Sequence, residues 1–114
     1  MAEDLYDPQV LNEVKSVMKA RFSVVLQYFL EDSEGYVNTI KSAVANSNAA
    51  EIVLPAHTLK SSAKQMGAML LSARAQRVEE LARNASSDTI DKIKTLLGDL
   101  DSVLAATSAQ YSKM

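Results

Sequence analysis

A chain of 114 residues is the size of one domain, enough to bury a single core and too short for separate substrate and cofactor domains. Its formal net charge of −2 gives no general attraction for nucleic acid or anionic lipid, and the lack of cysteine removes disulfides, thiolate zinc sites and cysteine nucleophiles. Three glycines and two prolines leave few breaks in a sequence that is 47% hydrophobic, so the composition points to one all-helical domain over residues 1–114.

The opening MAEDLYDP is acidic and has no basic segment leading into an apolar one. No apolar run reaches the roughly 18 residues that suggest a membrane span. The expectation is a soluble, cytoplasmic protein that binds neither membrane nor nucleic acid.

Asp7-Pro8 is a helix start, because Asp caps orphan N–H groups and Pro at the first helical position loses no needed donor. The first helix is expected over Pro8 to Met18, with Leu11, Val14 and Met18 inward. A second runs from near Ala20 to Ala45, with Phe22, Val25, Phe29, Tyr36, Val37, Ile40 and Val44 at helical spacing and Gly35 inside it. Asn46-Ser47-Asn48 ends it and supplies caps for a third helix from Ala49 to Met66. Pro55 predicts either a kink near residues 51–55 or a helix that becomes regular only there.

Gly67 is placed to end the third helix or to let its backbone approach a neighbour. A fourth helix follows from Met69 to Asn84 with Leu71, Ala75, Val78 and Ala82 on one stripe. After the polar break at residues 84–87, the fifth runs from Asp88 to Ala109, with Ile90, Ile93, Leu97, Leu100 and Leu104 spaced by three, four, three and four. Gln110 to Met114 is expected to fray. Four long amphipathic segments with short connections predict an antiparallel up-down-up-down four-helix bundle with a short extra N-terminal helix.

The chemistry concentrates in AHTLKSSAKQMGA, Ala56 to Ala68, which holds the chain's one histidine, His57. At 100° per residue Lys60, Ser61 and Lys64 fall on the His57 side, whereas Ile52, Leu59, Ala63 and Met66 gather opposite. His57 should therefore face away from the core. Taken alone, Lys60 and Lys64 read equally as solvated helix charges, and Glu79-Glu80 as an exposed acidic pair. Met18, Met66 and Met69 read as core or interface filler, and one histidine without a Glu-x-x-His motif argues against a bundle-type metal site.

H-x-x-K followed by a small residue and then Met-Gly-Ala resembles the signature of histidine-containing phosphotransfer domains, which shuttle phosphoryl groups between aspartates of receiver domains. The flanking FLEDSEGYVNTIKSAVANSNAAEIVLPA and LSARAQRVEELARNA resemble the neighbouring helices of that family, so the likeness extends from about Phe22 to Leu104. The resemblance implies that His57 is the phosphorylated residue and Lys60 the cation one turn away. Ser61 stands where many members have Gly, leaving room for a partner's loops and adding a hydroxyl. Glu79 falls where members often carry Gln or Glu bonded to the histidine, a pattern similar to the phosphotransfer domains of chemotaxis kinases. Gln76 and Arg83 share its face, and Arg83 would position Glu79 or meet a partner.

The implied function is a monomeric phosphocarrier working with response-regulator receiver domains, a sensor histidine kinase, or both. It is no enzyme, since the chain has no Gly-rich phosphate loop and should not autophosphorylate with ATP. No cofactor is expected on this chain, and Mg²⁺ is expected on the partner receiver domain. Val53, Leu54, Val17 and Phe22 are candidates for an apolar docking patch. The competing readings are a helical adaptor without phosphotransfer and a helical enzyme, which would need a second acid or base beside His57.

Overall fold

The computed structural model describes residues 4–114; the first three residues of the acidic MAEDLYDP start lie outside them. Asp7, in an extended conformation, accepts the Gln9 N–H at 2.9 Å, and Pro8 opens α1, Pro8–Met18. Residues Lys19–Arg21 wind as a short 3₁₀ turn, and α2 covers Phe22–Ala45. It follows that the second helix begins slightly later than its apolar pattern suggested.

Helix α3 spans Ala50–Gln65, α4 Met69–Arg83 and α5 Thr89–Tyr111. The Glu51 N–H is bonded to Asn48 Oδ1 at 3.3 Å, the cap anticipated from the Asn-Ser-Asn run. Pro55 lies inside α3, five residues after its start, so the helix does not wait for Pro55 to become regular. At the other end, Gly67 adopts φ +72°, the left-handed region open to glycine, and turns the chain into α4.

The helices close a bundle in which α3 packs on α2 and α4, α5 packs on α4 and α2, and α1 lies against α2. Ile40, Ile52, Leu59, Leu71, Ile93 and Leu100 are fully buried, each contributing about 1.5–3 kcal/mol relative to exposure. Ala56 and Ala63 of α3 and Ala75 of α4 are also fully buried. Small side chains at these contacts allow the two helix axes to approach, which brings the polar side of α3 within reach of α4.

Two expectations about the ends are corrected. Met18 is exposed, because α1 stops there and the chain turns off into the 3₁₀ turn. The C-terminus does not fray at Gln110: α5 continues to Tyr111, whose ring is fully buried. Its hydroxyl donates to the Met66 carbonyl at 2.8 Å, and its ring meets Tyr6 edge-on and Phe29 at a tilt. An aromatic anchor, invisible to helix periodicity, thus fixes the end of α5 to the α3–α4 elbow.

Candidate functional site

His57 and Lys60 leave the same face of α3 one turn apart, and Glu79 and Arg83 leave the same face of α4 one turn apart. Side chains opposite them on α3, Ile52, Leu59 and Ala63, are fully buried, so burying that stripe turns His57 outward. Its side chain is 47% exposed, accessible to a partner yet anchored on one edge.

The anchor is Glu79, with only 6% of its side chain exposed, whereas Glu80 beside it is exposed. The two are therefore not an exposed acidic pair. Glu79 Oε2 lies 2.9 Å from His57 Nδ1, and the Arg83 Nε and Nη2 groups each lie 2.8 Å from the same oxygen. Lys60 Nζ approaches the other oxygen, Oε1, at 2.7 Å; this is an ion pair without a well-aligned hydrogen bond.

Burial disfavours the Glu79 carboxylate, but Lys60, Arg83 and His57 together outweigh it and bring the carboxyl from 4.5 down to about 2. An ionised carboxylate has no proton to give, so Nδ1 carries the hydrogen and donates it to Oε2. In the neutral ring the lone pair then belongs to Nε2, the nitrogen away from Glu79. The arrangement orients a nucleophile and offers a negative charge to any positive charge that develops on the ring.

The other residues singled out in the sequence distribute differently. Ser61 is partly buried on the turn after Lys60, and Lys64 is exposed, as a solvated helix charge would be. Gln76 donates its amide to Glu80 Oε1 at 3.0 Å and so belongs to the outer surface of α4 rather than to the His57 cluster. Gly67 serves the elbow, its carbonyl accepting the Asp7 N–H at 2.7 Å. Of the patch candidates, Leu54 and Val17 are exposed and Val53 is half-buried, but Phe22 is buried in the core beneath Lys15 and drops out.

Ser72 was not anticipated. Its buried hydroxyl donates to the Lys60 carbonyl at 2.9 Å, tying α4 to α3 beside the site. The signal was its spacing: Ser72, Ala75 and Glu79 follow each other by three and four, so Ser72 shares the stripe that carries Glu79 inward.

Comparison with known proteins bears on the fold and the family. Superposition relates the chain to the crystal structure of histidine-containing phosphotransfer protein B (HptB) from Pseudomonas aeruginosa PAO1, with a TM-score of 0.90 and 24% identity over 98% of this chain and 95% of that one. At that identity the likeness speaks for the fold. No relative among curated proteins matches. The Hpt domain profile matches residues 24–106, a span that contains His57, Lys60, Glu79 and Arg83. A match over most of the length means that the chain belongs to the Hpt domain family, the histidine phosphotransfer proteins of phosphorelay signalling.

Proposed function

We propose that His57 is the residue that carries the phosphoryl group, and that it exchanges it with an aspartate of a receiver domain. The observation that carries this reading is the 2.9 Å contact between Nδ1 and the buried Glu79 carboxylate, which leaves Nε2 as the nucleophile on a half-exposed ring. The Nε2 lone pair forms the N–P bond as the P–O bond of the aspartyl phosphate breaks, its electron pair returning to the aspartate carboxylate. With Nδ1 still protonated the ring becomes an imidazolium, and Glu79 stabilises that charge. In the return direction the same proton allows a neutral imidazole to leave.

Hpt domains are phosphocarriers rather than enzymes, and their partners are receiver domains and histidine kinases. For this chain the receiver is the preferred partner and a sensor kinase an alternative donor. Mg²⁺ belongs to the receiver, where it neutralises charge on the transferring group. The carboxylate of this cluster is no metal ligand, being engaged with Lys60, Arg83 and His57. Ser61 keeps the approach to His57 open. The protein acts as a monomer in the cytoplasm; among the described residues no helix is long and apolar enough to cross a membrane.

Incubation with a phosphorylated receiver domain or a cognate kinase tests the assignment. The expected product is an acid-labile, alkali-stable phosphate that His57→Gln abolishes. Lack of labelling with every receiver and kinase of the host, or labelling that survives His57→Gln, would overturn it and favour an adaptor role.

A further inference from the structure

Two cations share one carboxylate here, and they do not share it in the same way. Arg83 converges two N–H groups on Oε2, the oxygen that also accepts from His57 Nδ1, whereas Lys60 holds Oε1. Each cation is therefore removable without taking the other's oxygen. Lys60 sits on the helix of His57, one turn along, while Arg83 sits on the helix of Glu79.

The charges show why two are needed. With Glu79 anionic and both bases cationic, the cluster around a neutral His57 carries one net positive charge. A phosphoryl group adds about two negative charges and leaves a single positive charge on the ring. With both bases present, the phosphorylated cluster is close to neutral. With Lys60 alone, the carboxylate and the phosphoryl group would compete for one ammonium, and a buried Glu79 that lost it would keep only the His57 ring as a partner.

Resting on the assignment of His57 as the phosphorylated residue, we propose that Arg83 is a positioning residue for phosphotransfer: it keeps Glu79 Oε2 aimed at His57 Nδ1 while Lys60 leaves Oε1 for the phosphoryl group. Arg83 suits the part that stays. Its planar group fixes two donors on one oxygen, whereas an ammonium on a flexible stem is free to swing.

The test uses the intact protein and phosphoramidate as chemical donor, comparing wild type with Arg83→Ala, Arg83→Lys and His57→Gln. Long-range ¹⁵N–¹H correlation spectra read the ring tautomer before any donor is added, and ³¹P spectra then follow the phosphohistidine signal. Arg83→Ala is expected to lower the share of the Nδ1–H tautomer and slow labelling about tenfold. Arg83→Lys should restore part of both, because it returns the charge without the two fixed donors. Circular dichroism should report the same helix content throughout. An unchanged tautomer share in Arg83→Ala, or full recovery in Arg83→Lys, overturns the division of roles even if labelling proceeds. If wild type gains no phosphate on His57, the assignment of His57 itself falls and this proposal falls with it.

Discussion

Lys60 and Glu79 meet across the α3–α4 contact, the ammonium 2.7 Å from Oε1 while the opposite oxygen serves His57. Lys60 is thus a partner of the carboxylate before it is a partner of any phosphate. Substitution by Gln should leave the His57 Nδ1 proton in place, since Arg83 still holds Oε2, yet slow phosphotransfer about tenfold by removing the mobile charge. Stopped-flow transfer kinetics together with the ring ¹⁵N spectrum check both halves. A tautomer change equal to that of Glu79→Gln would show that Lys60 orients the ring instead.

Acid should expose the cost of protonating Glu79. Folding favours its ionised form, because the carboxyl is held at about 2 rather than 4.5. The stabilisation is complete above pH 4.5 and is lost as pH falls through about 2, and the difference corresponds to about 3 kcal/mol at neutral pH. Glu79→Gln should therefore be less stable than wild type at pH 7, with the gap closing between pH 4.5 and pH 2. Urea unfolding at pH 7, 4.5 and 2.5 measures it; a gap that stays constant with pH would mean that the carboxylate gains nothing from its neighbours.

The sequence carried this site unevenly. Helical spacing was enough to orient His57 and Lys60, because both sit on a helix whose opposite stripe is continuous, Ile52, Leu59 and Ala63. The family likeness added Glu79, which periodicity alone would have allowed to be a surface acid. The pairing of Lys60 with Glu79 was not legible, since it depends on how closely α3 and α4 approach, and the alanines that permit the approach look like ordinary helix formers. Ser72 and Tyr111 were missed for a related reason: each bonds a main-chain carbonyl on another element, and a carbonyl leaves no trace in side-chain pattern.

Tyr111 gives that omission an energetic scale. Burial, and secondarily Tyr6, pushes its phenol above the ordinary range, so it remains a neutral donor to Met66. Tyr111→Phe keeps the packed ring and removes the hydroxyl, stranding the Met66 carbonyl, and should cost about 1–2 kcal/mol. Deleting residues 110–114 removes the ring as well and should cost about 3–5 kcal/mol. Equal losses in the two variants, read from urea midpoints, would assign the whole effect to the hydrogen bond.

Two glycines should respond to alanine in opposite senses. Gly35 lies in the middle of α2 with open space around the missing side chain, so Gly35→Ala relieves backbone entropy and should stabilise by about 0.5–1 kcal/mol. At Gly67, with φ +72°, a Cβ would come within 3.0 Å of the Asp7 carbonyl and 3.3 Å of both the Leu11 nitrogen and the Val10 Cβ, the first two being backbone with little room to give. Left-handed strain alone costs about 1–2 kcal/mol, and relieving the clash moves the Asp7 N–H off the Gly67 carbonyl. Gly67→Ala should therefore be destabilised by at least about 2 kcal/mol, and hydrogen exchange should quicken at the Asp7 amide more than in the α2 core. Uniformly faster exchange would instead mean that Gly67 sets the stability of the whole bundle, not the seating of its N-terminal segment.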